Sequence, residues 1–188
     1  MNNLIIEYIQ KYILLTDKEI QVINEQNLIR HCKKKDILLC AGEFAKECYF
    51  VISGCVRAYY LIDGEERNTS FFFENMTIRP VNYFNGLPSE YYLVCLEDCV
   101  LAIGSEERNK SLVHCIPKLA DLISKMNEEL FMHKTVELDY FKNQSPEERY
   151  LALVAKQPDI IRRVPLYHLA SYLGITQVSL SRIRSRIS

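Results

Sequence analysis

The chain has 188 residues, 48% of them hydrophobic and 25% charged, which excludes extensive disorder and suits one large domain or two small ones. Its net charge of −1 argues against a surface that is basic throughout, but residues 145–188 hold seven Lys and Arg against three acids, and residues 1–144 hold 16 against 21. No run of about 18 apolar residues occurs, and the N-terminus has no basic region or long apolar stretch of a signal peptide, so a cytoplasmic protein with reduced cysteines is expected.

Leu4, Ile5, Tyr8, Ile9, Tyr12 and Ile13 recur at helical spacing and predict a first amphipathic helix over 4–15. Thr16-Asp-Lys-Glu19 has the form of a capping box and opens a second helix through Ile20 and Ile23. From about Ile29 short strand-like runs alternate with turn signals. These runs are 37–40, 48–52, 56–62, 68–73 and 91–103, and Asp63-Gly64 is the strongest hairpin signal among the turns. Strands at this spacing predict an antiparallel β-roll, or jelly roll, over 30–104.

From Ser111 the helical period returns: Leu112, Ile116, Leu119, Ile123, Met126, Leu130 and His133 alternate steps of four and three, with Pro117 a possible helix start. Such a seam packs either on the chain's own roll or on the same helix of a second copy. The strict alternation favours the second, with Leu119, Ile123, Met126, Leu130 and His133 as the dimer seam. Ser145-Pro-Glu-Glu148 is a second capping box and starts a new helix. The expected division is a sensor roll over 1–110, a long dimerisation helix over 111–142 and a C-terminal domain over 143–188.

The last two dozen residues carry the clearest functional signal. Leu166, Leu169, Ala170 and Leu173 form one helical face, Gly174 suits a tight turn, Ile175 is an apolar plug and Thr176 is an N-cap. In the following helix Leu180, Ile183 and Ile187 are expected to face inward, and Val178, Ser181, Arg182 and Ser185 outward. This outer face contains arginines and no acid. Gln177 and Arg182 suit base edges, and Thr176, Ser179, Arg184 and Arg186 suit phosphates, the outline of a DNA-reading helix-turn-helix. The bland alternative is a basic hairpin that contacts protein.

The cysteines, Cys32, Cys40, Cys48, Cys55, Cys95, Cys99 and Cys115, include no pair spaced for zinc. Cys95 and Cys99, if they lie on one extended strand, are roughly 13 Å apart at about 3.3 Å per residue. They are therefore read as small buried hydrophobes, and no metal is expected. No nucleophile elbow, phosphate loop or paired-histidine motif occurs, so no enzyme is expected.

A β-roll, a long helix and a C-terminal helix-turn-helix together resemble the cyclic-AMP receptor protein/fumarate-nitrate regulator (Crp/Fnr) family of bacterial transcription regulators. The resemblance covers nearly the whole chain and rests on Lys35–Glu43, Cys48–Arg57, Asp63-Gly64 and Leu166–Ile183. It implies an α+β fold with a cyclic-nucleotide-binding-like roll and a homodimer that reads an inverted repeat in double-stranded DNA. It places Gln177, Val178 and Arg182 at base-contacting positions. RNA polymerase and a small-molecule effector are further partners it implies, and a membrane is not.

Departures from the family pattern fall in the nucleotide cassette. Arg79 stands where a ribose-binding Glu is expected, and Ser89-Glu90 stand where Arg-Ser is expected. A carboxylate there repels a cyclic phosphate and argues against cyclic AMP, so no cofactor is expected. Arg79, Ser89 and Glu90 remain the candidate effector residues. Arg79 is also open to the reading of a surface residue paired with Glu90. Residues 1–31 contain no cysteine for an iron–sulfur cluster, and His31 and His114 are ordinary candidates for a haem ligand. With the chain ending at Ser188, no β-hairpin wing is expected. The reading from another class is a ligand-binding or protein-interaction module whose C-terminal helices contact protein rather than DNA.

Overall fold

Alternation of buried and exposed residues along the middle of the chain folds it into two antiparallel four-stranded sheets. The structure, a computed structural model, describes residues 3–26, 28–83 and 85–187; the side chains at positions 3, 133, 134, 137, 140 and 141 lie outside the description. One sheet has the order β1 (Ile29–Cys32), β8 (Cys99–Gly104), β3 (Cys48–Ser53), β6 (Thr77–Ile78). The other has the order β2 (Ile37–Leu39), β7 (Tyr92–Cys95), β4 (Val56–Ile62), β5 (Glu65–Phe72). Their inner faces enclose Tyr49, Val51, Val56, Ile78, Tyr91, Leu93 and Leu101. The β4–β5 hairpin turns at Asp63 and Gly64, which have φ of 54° and 81°, the two positive values that a two-residue hairpin turn needs.

The run expected as one strand over 91–103 is two strands, β7 and β8, joined by a turn at Leu96–Asp98. This corrects the expected separation of Cys95 and Cys99. They lie in one buried cluster, and the Cys99 thiol donates to the carbonyls of Cys55 and Glu97. Among the described residues no group of three or more His, Cys, Asp or Glu side chains is placed to hold a metal ion.

Helices flank the roll. α1 (Asn3–Gln10) is shorter than its apolar period suggests, and α2 (Asp17–Glu25) opens on the Thr16/Glu19 capping box. The helix expected from Ser111 is interrupted: α3 (Glu106–Cys115) ends at Ile116, and α4 (Leu119–Asn143) begins after Pro117. Ile6, Ile23, Leu28, Leu112, Ile116, Leu119 and Leu122 form one buried cluster, with Ile123 and Met126 packed against it. The first half of the expected dimer seam is therefore occupied within the chain. Leu130 is half-buried, and the side chain of His133 lies outside the described residues. Among the described residues, the apolar side chains left exposed on α4 are Phe131, Met132, Val136 and Leu138.

Ser145 caps α5 (Pro146–Lys156), with Glu148 closing the capping box, and the short α6 (Ile160–Arg163) follows. α7 (Leu166–Leu173) and α8 (Gln177–Ile187) complete the chain. These four helices do not bury a core of their own alone. Tyr150, Ile160, Leu169, Leu173, Leu180 and Ile183 share one cluster with Cys55, Phe71 and Phe73 of the roll. Among the described residues no helix is long and apolar enough to cross a membrane.

Candidate nucleic-acid interface

The geometry of α8 is set by the turn before it. Gly174 takes φ of 71°, a left-handed value that suits glycine, and its N–H closes α7 onto the carbonyls of Ala170 and Ser171. Thr176 Oγ1 accepts the Ser179 N–H at 3.1 Å and so satisfies one of the free donors at the start of α8. Leu180 and Ile183 are buried beneath the helix. Gln177, Val178, Ser181, Arg182, Ser185 and Arg186 are exposed. Ser179 and Arg184 are half-buried. Ile187, expected to face inward, is 42% exposed because nothing packs over the last turn of the helix as it does over Ile183.

The expected contact residues thus lie together on or beside one helical face, with Thr176 at its N-terminal end. Val178 presents an apolar surface of the kind that meets a thymine methyl group. Arg186 is paired with Glu147 of α5 at 2.9 Å. Both side chains are largely exposed, so this pair contributes little and is readily exchanged for a phosphate.

A second set of residues holds the pair α7/α8 to the roll, and sequence reasoning did not find it. Arg57 on β4 is 7% exposed. Its Nη1 donates to Asn68 Oδ1 at 3.0 Å and to Glu66 Oε2 at 2.7 Å. It also lies 3.3 Å from Nδ1 of His168 on α7, and Asn68 Nδ2 is 3.2 Å from the same nitrogen. Both neighbours are donors, so Nδ1 is the acceptor and the imidazole is neutral. Burial is the larger cause and Arg57 the second, and together they push the His168 pKa down to about 4, against the opposing carboxylate of Glu66. The register of β4 against β5 shifts between Ala58 and Tyr59, which leaves Thr69 without a register partner beside Asn68. The Asn68 N–H then donates to Ser171 Oγ at 3.0 Å, and the Ser171 hydroxyl donates to the Glu66 carbonyl at 2.9 Å.

Arg163 of α6 makes the other attachment. Its Nη1 and Nη2 reach the two Glu74 carboxylate oxygens at 2.8 and 2.9 Å, and it also binds Glu97. Glu74 accepts the Gly54 N–H as well, and its pKa is held down to about 2, first by Arg163. An arginine in a strand and a histidine on an apolar helix face carry no mark of each other across 111 residues of sequence. The one available signal was local: Arg57 interrupts an otherwise apolar run.

The candidate effector residues lie in separate surroundings. Arg79 lines a cavity of about 170 Å³ between the roll and α1, α3 and α4, where its charge bears on Cys48. Ser89 is buried, and its hydroxyl donates to the Tyr91 carbonyl at 2.7 Å, while its N–H donates to the Glu43 carbonyl. Glu90 is exposed. The Tyr91 ring is buried inside the roll beside Tyr60, and its hydroxyl accepts the Val81 N–H.

Residues 29–114 match the family described as the cyclic nucleotide-binding domain. The likeness to that family lies in the roll and does not extend to the C-terminal helices. Among solved structures, FixK2 from Bradyrhizobium japonicum aligns at TM-score 0.69 and 16% identity, over 85% of this chain and 83% of its own. A CooA mutant from Carboxydothermus hydrogenoformans aligns at 0.66 and 16%, over 92% and 85%. CLP from Xanthomonas campestris, described as a c-di-GMP-responsive global regulator, aligns at 0.64 and 19%, over 87% and 89%. At these identities the likeness is one of fold. No curated protein sequence matches the chain.

Ser89 and Glu90 do not supply the positive charge that a cyclic phosphate needs. Where the Crp/Fnr pattern has Arg-Ser, the Ser89 hydroxyl is engaged in its own turn and Glu90 brings a negative charge. A cyclic phosphate gains nothing from either.

Proposed function

We propose that the protein is a homodimeric, sequence-specific DNA-binding transcription regulator, with α7 and α8 as its helix-turn-helix. One observation carries this reading: the acid-free face of α8, with Gln177, Val178, Ser181 and Arg182 exposed together above a buried Leu180 and Ile183. An amide and a guanidinium on that face have the donor patterns that pair with adenine and guanine in the major groove. The exposed Phe131, Met132, Val136 and Leu138 lie within one half of the surface of α4 at about 100° per residue, and this supports pairing of α4 with a second copy. Two reading helices related by a two-fold axis then fall about 34 Å apart, in successive major grooves.

In this reading the domain boundaries fall near residues 110 and 143, and the protein acts without a cyclic nucleotide. The Arg57–Asn68–His168 network and the Arg163–Glu74 pair join the roll to the reading helices, so a change in the roll reaches the DNA-binding face through α6 and α7.

Selection of bound fragments from genomic DNA tests the proposal. The expected result is enrichment of an inverted repeat, with affinity that falls steeply between about 50 and 200 mM salt as phosphate counterions are released. A protein that stays monomeric at micromolar concentration and enriches no sequence would overturn it and favour the protein-interaction reading.

A further inference from the structure

The cavity of about 170 Å³ beneath α1, α3 and α4 lies on the outer face of the β1–β8–β3–β6 sheet. Phe50 and Ala102, register partners on β3 and β8, form its base. The alternate residues Val51 and Leu101 point the other way and fill the roll, so the cavity is distinct from the roll interior. We infer that it is a binding site for one small uncharged apolar molecule, an aromatic ring or short alkyl chain about the size of toluene.

Size and lining both point to such an occupant. Close-packed interiors hold few voids larger than a water molecule. A cavity of about 150 Å³ walled by Leu, Ile and Phe stays dry and takes up benzene. Here Ile9 of α1, Leu112 of α3, and Leu122, Ile123 and Met126 of α4 supply walls of the same kind. They offer water none of the polar partners that hold it inside a protein. The rings of Tyr8 and Phe50, with centroids 4.4 Å apart, add an aromatic wall that favours a ring packed at its edge.

The polar lining selects against charge. Asn109 Nδ2 donates to Cys48 Sγ at 3.9 Å, burial pushes the Cys48 thiol up and keeps it neutral, and Arg79 is engaged within the protein. Thr77 and Asn127 carry no charge. A charged head would leave water and gain no partner here. Access is from the side edged by Tyr8, Met126 and Leu130, all half-buried, where the unbranched methionine can swing aside. An occupant touches the sheet and the first half of α4 together. Any consequence for the dimer face further along α4 rests on the function proposed above, whereas occupancy does not.

The test is isothermal titration calorimetry of the full-length protein with toluene, and with benzoate as a charged ring of similar size. The expected result is one saturable toluene site per chain, with benzoate at least about tenfold weaker. Ala102→Leu, which extends into the cavity from β8, should abolish toluene binding. Ile123→Phe, which fills it from a half-buried position on α4, should weaken toluene at least about tenfold, so the result does not hang on one variant folding. Each variant is read only where its unfolding transition is cooperative. No saturable toluene binding to the wild type, equal affinity for benzoate, or a toluene affinity unchanged in either folded variant would overturn the inference. No DNA enters the measurement, so its failure is separate from failure of the regulator reading.

Discussion

The two halves of α4 share one apolar period and meet different partners. Between Leu119 and Met126 the helix is covered by α1, α2 and α3, and Leu119 and Leu122 are each 5% exposed. Beyond Leu130 the described apolar side chains are exposed, Phe131 at 74% and Leu138 at 61%. A seam read as continuous is divided by what the neighbouring elements reach. The first half is part of the chain's own core, and the second half presents the apolar side chains on which the proposed dimer rests.

The largest expected effect lies in the first half. Leu122→Ala should lower unfolding stability by about 2–5 kcal/mol, through lost burial and a cavity that cannot collapse, measured by chemical denaturation. A loss below half a kcal/mol would mean that this half is not core. In the second half, Phe131→Glu combined with Leu138→Glu should weaken the dimer at least a hundredfold, roughly 3 kcal/mol, because each change acts twice across a two-fold interface. Sedimentation velocity reads this directly, and a persisting dimer would move the interface off α4.

The pH dependence of stability reports whether the C-terminal helices are held by the roll or only by the end of α4. The His168 pKa is pushed down to about 4, so between the ordinary histidine value and 4 the unfolded chain binds the proton that the fold refuses. This contribution is complete above about pH 6.5 and is lost as the pH falls toward 4, by about 3 kcal/mol. His168→Gln should flatten the stability profile in that window relative to wild type. Parallel profiles would place the hold elsewhere. Smaller again is Arg182→Ala, which should relax preference at one base pair of each half-site by about 1–3 kcal/mol and leave dimerisation intact. The double Glu variant of α4 should do the converse, keeping half-site preference while losing two-site affinity. Arg186→Ala should be smallest, weakening all sequences alike and lowering the salt slope by about one.

Local chemistry was legible before the structure. Both capping boxes, the Asp63-Gly64 hairpin and the Gly174 turn lie where their residues place them, because each is satisfied within a few residues. The outer face of α8 was legible for the same reason, since helical period alone separates Leu180 and Ile183 from Ser181 and Arg182. The β7–β8 turn was missed because Leu96-Glu-Asp98 lacks glycine or proline, so two strands read as one and Cys95 appeared distant from Cys99.

What the sequence determined by itself is the set of elements and the chemistry of the reading helix, which depend on neighbours one to four residues away. What only the tertiary structure decided is which surfaces meet. Arg57 joins His168, the first half of α4 enters the chain's own core, and a cavity opens between the roll and α4. Each of these depends on contacts between residues far apart in the chain, whose energies come from burial and from paired charge in a shared interior, and no local period encodes them.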